Sequence, residues 1–429
     1  MKSRPGVIGV VFVCLFVVGP AVPVFAQWEA RSLGATPLPN DPYTPPACTG
    51  TYFLDVTCSS PFDAWIEQFV RDGITAGCGG GNYCPDGTVT RAQVAVLIEK
   101  AMQGTASWTP ANTTPDLARV ATLNWWGGRY FGGSYGFNDP WGVAFDGTHI
   151  WVTNYDADSV TEINASNGAW VQTLSGGSYG FNHPCGIAFD GTHIWVANHY
   201  GHSVTKINAS NGSWVQTLSG GSYGLNYPHG VAFDGTHIWV TNEGGQSVTE
   251  INASDGSWVR TLSGGSYGFN FPTGIAFDGV HIWVTDSSGS VTEINASNGA
   301  WVRTLSGGSY GFNFPRRVAF DGTHIWVTNY SGDSVTQINA SNGSWVQTLS
   351  GGSYGFNGPT GVAFDGAHIW VTNAAANSVT EIDASNGSWV RTLSGGSYGF
   401  SNPLGVAFDG GHIWVANSNG NSVTSIRAR

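Results

Sequence analysis

The sequence predicts a mainly β chain: a seven-bladed β-propeller of four-stranded antiparallel blades, preceded by a small α-helical module. Three observations predict it. A DG-x-HIWV text recurs, with its histidine at His149, His193, His237, His281, His324, His368 and His412; these lie 44 residues apart, except for 43 between His281 and His324. A period of that length is the mark of a blade repeat. Each period holds four short apolar runs separated by Gly and Asn turns, which read as strands of a meander. Charged residues make up only 10% of the chain while Gly (62) and Trp (19) are abundant, as suits a turn-rich β protein with packed aromatics.

The elements follow in order. Lys2 and Arg4 precede an uncharged apolar run at 6–19, and Val24-Phe25-Ala26 places small residues for cleavage after Ala26. Residues 1–26 therefore read as a signal peptide for export. An exported chain meets an oxidising compartment, so Cys48, Cys58, Cys78 and Cys84 are expected to form two disulfides by any of three pairings. Cys185 is left over, far down the chain. Residues 27–47 are a Pro-rich linker. In 48–104, Trp65, Phe69 and Val70, then Val94, Leu97, Ile98 and Met102, recur at helical spacing, with Thr90 as an N-cap. Residues 105–117 are a second linker.

FLDV (53–56), the helix about Trp65, GITAGCGGGNYCPDGTVTRAQ (73–93) and the helix after it resemble the S-layer homology module. The resemblance implies a bacterial surface protein, with a cell-wall or envelope polymer as partner and Arg91 as a contact to it. Gln93 stands where that family carries Glu.

The propeller is expected over 118–429. In the first full copy, strand a is GVAFD (142–146), turning at Asp146-Gly147 into strand b, HIWVTN (149–154). Strand c is SVTEIN (159–164), and Asn167-Gly168 turns into strand d, AWVQTLS (169–175). The Trp of each HIWV and of each AWV or SWV is expected to fill the space between blades. The last copy lacks strand d. RVATLN (119–124) resembles the strand-d text and is expected to supply it, closing the ring without a covalent bond. The WVTN text, SVTEIN and the Pro-x-Gly before strand a resemble the YVTN family of β-propeller repeats, and similar blades occur in the NHL-repeat and virginiamycin B lyase groups. That resemblance speaks for the fold, which hosts both binding and catalysis.

Comparing the seven copies separates scaffold from candidate site. They differ at the two residues flanking the proline before strand a: Asp139/Trp141, His183/Cys185, Tyr227/His229, Phe271/Thr273, Phe314/Arg316, Gly358/Thr360 and Asn402/Leu404. They also differ in the b–c loops, which include Tyr155, His199, Tyr200, His202 and Tyr330. In an up-and-down blade the two places share one end of the ring, at the mouth of the central channel. Loops on a rigid scaffold are where binding usually sits. The aromatic members suit a sugar ring or a peptide. Arg316 and Arg317, the latter where other copies have Gly, either meet an anionic group or pair with Asp333. The histidines outside the repeat text are His183, His199, His202 and His229; with Cys185 they form a candidate Zn²⁺ or Cu²⁺ site, although their spacing matches no standard metal motif. The repeat's own histidine, beside the a–b turn, reads as structural.

The net charge of −12 and the absence of a basic run argue against nucleic acid and anionic membrane surfaces as partners. No nucleophile–base–acid triad, phosphate loop or carboxylate pair stands out. The expectation is an exported bacterial surface protein, more plausibly not an enzyme, presenting one propeller face to a glycan, peptide or protein. The alternatives are a metal-dependent lyase or hydrolase and a purely structural surface-layer component.

Overall fold

A computed structural model describes residues 128–428 of the chain. The signal peptide, both linkers, the helical module with Arg91, the four clustered cysteines and the segment 119–124 lie outside the described residues.

Seven four-stranded antiparallel sheets succeed one another as the repeat predicts. Blade one contains Pro140–Phe145, His149–Asn154, Ser159–Asn164 and Trp170–Ser175 as strands a to d. Strands b and c have the expected bounds. Strand a begins two residues earlier, at the proline, because a bulge falls between Pro140 and Val143 and lets Pro140 pair with Asn154. Every blade repeats this bulge. Two residues, Trp141 and Gly142 or their counterparts, there face one residue of strand b, so the variable side chain lies where the strand bends.

The a–b turn is organised by the aspartate of DG. Asp146 Oδ1 accepts from the backbone N of Thr148 and His149, and Oδ2 accepts from Trp151 Nε1 at 2.7 Å. The repeat histidine adds a contact of 3.3 Å from His149 Nδ1 to Oδ2. Asp146 Oδ2 thus ties the repeat histidine to the polar edge of a fully buried tryptophan.

The core consists of seven clusters, one at each blade boundary. Trp151 of blade one packs on Ile194, Val196 and Ile207 of blade two, and Trp414 of blade seven packs on Ile150 and Val152 of blade one. The strand-d tryptophans do not fill this space as expected. Trp170 is 51% exposed whereas Trp151 is 0% exposed. Strand d is the outermost strand, and the indole of Trp170 lies along it, donating to Thr173 Oγ1 at 3.1 Å.

Closure differs from expectation in its location. The outer strand of blade seven is Arg129–Phe131, pairing with Ser422–Arg427, so the position expected for 119–124 is taken by residues downstream. Phe131 lies opposite Val423 as Leu174 lies opposite Val160. Aligning the GGSYG text would put Tyr130 there, so the loop is one residue shorter and the faces are exchanged. The result is sound packing: Phe131 stacks on Trp414 at 5.4 Å and is 8% exposed, while Tyr130 is 53% exposed.

Candidate functional site

At the channel, strand a of each blade packs against strand a of the next, and blade seven against blade one. The approach is close enough to require glycine. A Cβ on Gly230 would lie 2.4 Å from the carbonyl oxygen of Thr273, and one on Gly405 would lie 2.1 Å from that of Trp141. The contact is reinforced where the penultimate residue of strand b is Thr: Thr241 Oγ1 accepts from Gly230 N and donates to Thr273 O across the blade boundary.

The two variable places do meet at one rim. Within each blade the b–c loop bonds back to the residue before the proline, as in Tyr155 N to Asp139 O and His199 N to His183 O. Seven residues from blades one to three form a continuous field of rings. Trp141 stacks on Tyr155 at 4.5 Å, Tyr155 meets His183 at 4.6 Å, and His183 meets Tyr200 at 4.7 Å. His199 lies 5.0 Å from Tyr200 and 5.1 Å from Tyr227, and His202 lies 4.7 Å from Tyr227. Farther round, Phe314 and Tyr330 flank Arg316, whose guanidinium sits 5.4 Å from each ring. Phe271 is exposed between the two groups.

The proposed metal set does not assemble. Among the described residues no group of three or more His, Cys, Asp or Glu is arranged to hold a metal ion. Three of the five donors, Cys185, His202 and His229, have another task. Cys185 is buried, its Sγ lies 3.5 Å from the carbonyl oxygens of Pro228 and His229, and burial pushes its thiol up to about 12. It occupies the place of Thr273 and Thr360, whose hydroxyls make the same bond to the next blade. His202 is a latch: its Nδ1 accepts from Tyr227 N at 3.0 Å. Asp158, Asp333, Asn377 and Asn421 hold the next blade through the equivalent bond. Asp333 thus caps Gly358 N, and the expected pairing with Arg316 or Arg317 is replaced by that bond. These latch residues and the residues they hold have φ between 44° and 61°, the left-handed region that favours Asn, Asp, His and Gly. Asn, Asp or His at the end of a b–c loop is the sequence signal for this latch.

His183 and His199 face the rim. Burial holds the His199 imidazole below its usual range, against the opposing effect of Glu243, whose carboxylate lies 4.0 Å from Nε2. His229 is buried at the channel wall, and burial and then Arg317 hold it neutral, well below the ordinary value. Arg317 Nη1 donates to His229 Nδ1 at 3.0 Å, reaching from blade five to blade three. Beneath the rim is a cavity of about 200 Å³, walled by the glycines and branched aliphatic residues of the a strands and broken by Trp141, Cys185 and Arg317.

No protein-family profile matches the chain, and no curated protein is significantly similar to it. Among solved structures, a streptogramin B lyase is similar to it with a TM-score of 0.55 and 17% identity, over 70% of this chain and 96% of the lyase chain. Kuenenia stuttgartiensis hydrazine synthase is similar with a TM-score of 0.57 and 19% identity, over 68% of this chain and 96% of its own. At these identities the likeness is one of fold.

Proposed function

We propose that this chain is an exported binding protein of the bacterial envelope, and that the rim of blades one to three grips a glycan. One observation carries the reading: in blades one to three, seven of the residues that vary among the near-identical copies form one field of rings around the channel mouth. Tyr200, Tyr227, Phe271 and Phe314 leave large apolar surface exposed there. Aromatic faces with polar edges suit the C–H faces and hydroxyls of a sugar ring. Export rests on the apolar run ending at Ala26. Tethering rests on the resemblance of 48–104 to an S-layer homology module, and a YVTN-type propeller suits such a protein.

The lyase reading draws on the fold shared with a streptogramin B lyase. It is the weaker one here, because Cys185, His202 and His229 are committed to scaffold bonds rather than to one centre. A coat tile without a ligand gives no reason for rings to gather on three adjacent blades. The test is a glycan array probed with the full chain and with Tyr200→Ala/Tyr227→Ala. Binding is expected for the first and its loss for the second; no saccharide bound by the full chain overturns the reading.

A further inference from the structure

Arg317 breaks a rule that the other six blades obey. Its counterparts Gly142, Gly186, Gly230, Gly274, Gly361 and Gly405 leave no room for a Cβ, which would meet the next blade's carbonyl oxygen at 2.0–2.5 Å. Placing arginine in that ring costs close packing where the a strands touch. At blade five the bond from residue 317 N to Thr328 Oγ1 is 3.1 Å, against 2.8 Å for Gly230 N to Thr241 Oγ1. A local rule broken in one of seven copies marks a position kept for something other than the fold.

The side chain that results is a set of donors without an anion. Arg317 lines the cavity, and among the described residues the one side chain it bonds is the neutral His229. Arg316 at the lip is held by the rings of Phe314 and Tyr330. Among the described residues neither guanidinium has a carboxylate partner, and Glu243, the acid acting on both, faces His199 instead. Trp141 Nε1, on the same wall, is buried without a partner. Burial lowers Arg317 only to about 10, so it stays charged at neutral pH.

We infer that the channel mouth is a carboxylate site, in which Arg317 takes the acid group of a uronic-acid saccharide whose ring lies on the aromatic rim. The guanidinium fork matches a carboxylate in two parallel bonds. A cavity of about 200 Å³ is below the usual range for a whole ligand, so it admits one terminal group while the rest stays on the rim. The exposed flat rings favour a sugar over a peptide terminus. This inference rests on the rim reading proposed above and adds to it the chemical class of the ligand.

The experiment titrates the full chain with galacturonate, guluronate and hyaluronan oligosaccharides, each beside its neutral methyl ester. At least one acid should bind about tenfold or more tightly than its ester. Arg317→Gly should abolish that preference while melting no lower than the parent, since it restores the seventh glycine. Arg317→Lys keeps the charge without the fork and should recover only part of the preference. Equal binding of acid and ester that still depends on Tyr200 and Tyr227 overturns this inference and leaves the rim reading standing. Binding of none of these saccharides, with a neutral glycan bound on the array, overturns this inference alone; no binding in either experiment overturns both. Preference for a peptide with a free C-terminal carboxylate, lost in Arg317→Gly, overturns the assignment to a saccharide.

Discussion

Six of the seven blades end strand b in Asn, and Asp286 takes that place in blade four. Asn242 donates from Nδ2 to Ser247 Oγ at 3.1 Å and Thr249 Oγ1 at 2.9 Å. Asp286 accepts from Ser290, Thr292 and the backbone N of Asn270. Burial outweighs these bonds and raises its carboxyl from 3.8 to about 7. The folded state therefore holds a proton that the unfolded state has lost between those values. Stability from this group is full below pH 3.8 and falls as pH rises towards 7, by at most about 4 kcal/mol. Asp286→Asn should thus raise the melting temperature by several degrees at pH 8.5 and by much less at pH 5; an equal gain at both contradicts the assignment. Glycine offers a second contrast. Gly230→Ala forces a Cβ against Thr273 O and should cost roughly 1–3 kcal/mol, whereas a Cβ on Gly221 meets nothing within 4 Å, so Gly221→Ala should be nearly neutral in a denaturant titration. At this scale the sequence was only partly legible. Arg317 stood out because it replaces a repeated glycine. Cys185 and His202 stand out as metal-donor residue types, but their hydrogen bonds cross a blade boundary and no spacing within one repeat reveals them.

Among elements, the strands are the most legible part, since short apolar runs between Gly and Asn turns leave little choice. The closing strand was not, because two segments compete for one edge. TLN (122–124) carries the repeat text, but RYF (129–131) sits directly before GGSYG and reaches the edge through a short loop. Loop length and the burial of one aromatic decide the matter over textual likeness. Phe131→Ala empties the space beside Trp414 and should cost about 3 kcal/mol or more. Tyr130→Ala, on the exposed face, should cost well under half of that by chemical denaturation. Equal costs would mean that the register across this edge is shifted by one residue. The bulge in strand a is likewise hidden, since the spacing of Pro-x-Gly does not show that x and Gly together face one residue of strand b.

In the whole molecule, the ring closes through contacts that no single repeat contains: Phe131 on Trp414, Asn421 Oδ1 on Asp139 N at 2.8 Å, and strand a of blade one on strand a of blade seven. Closure brings residues almost 180 positions apart to one mouth, from Trp141 to Arg317, and makes a site of substitutions that look scattered along the chain. The outer wall carries exposed aromatics as well, since Trp170, Trp214, Trp258, Trp301, Trp345 and Trp389 line the strand-d edges. They recur in six of the seven blades and lie away from the variable rim, so they serve as a control. The most direct measurement titrates a saccharide that binds the full chain into Tyr200→Ala/Tyr227→Ala and into Trp214→Ala/Trp258→Ala. A rim site predicts an affinity loss of about tenfold or more, near 1.4 kcal/mol, in the first pair and none in the second. Unchanged affinity in the rim pair, or a loss confined to the outer-wall pair, contradicts it.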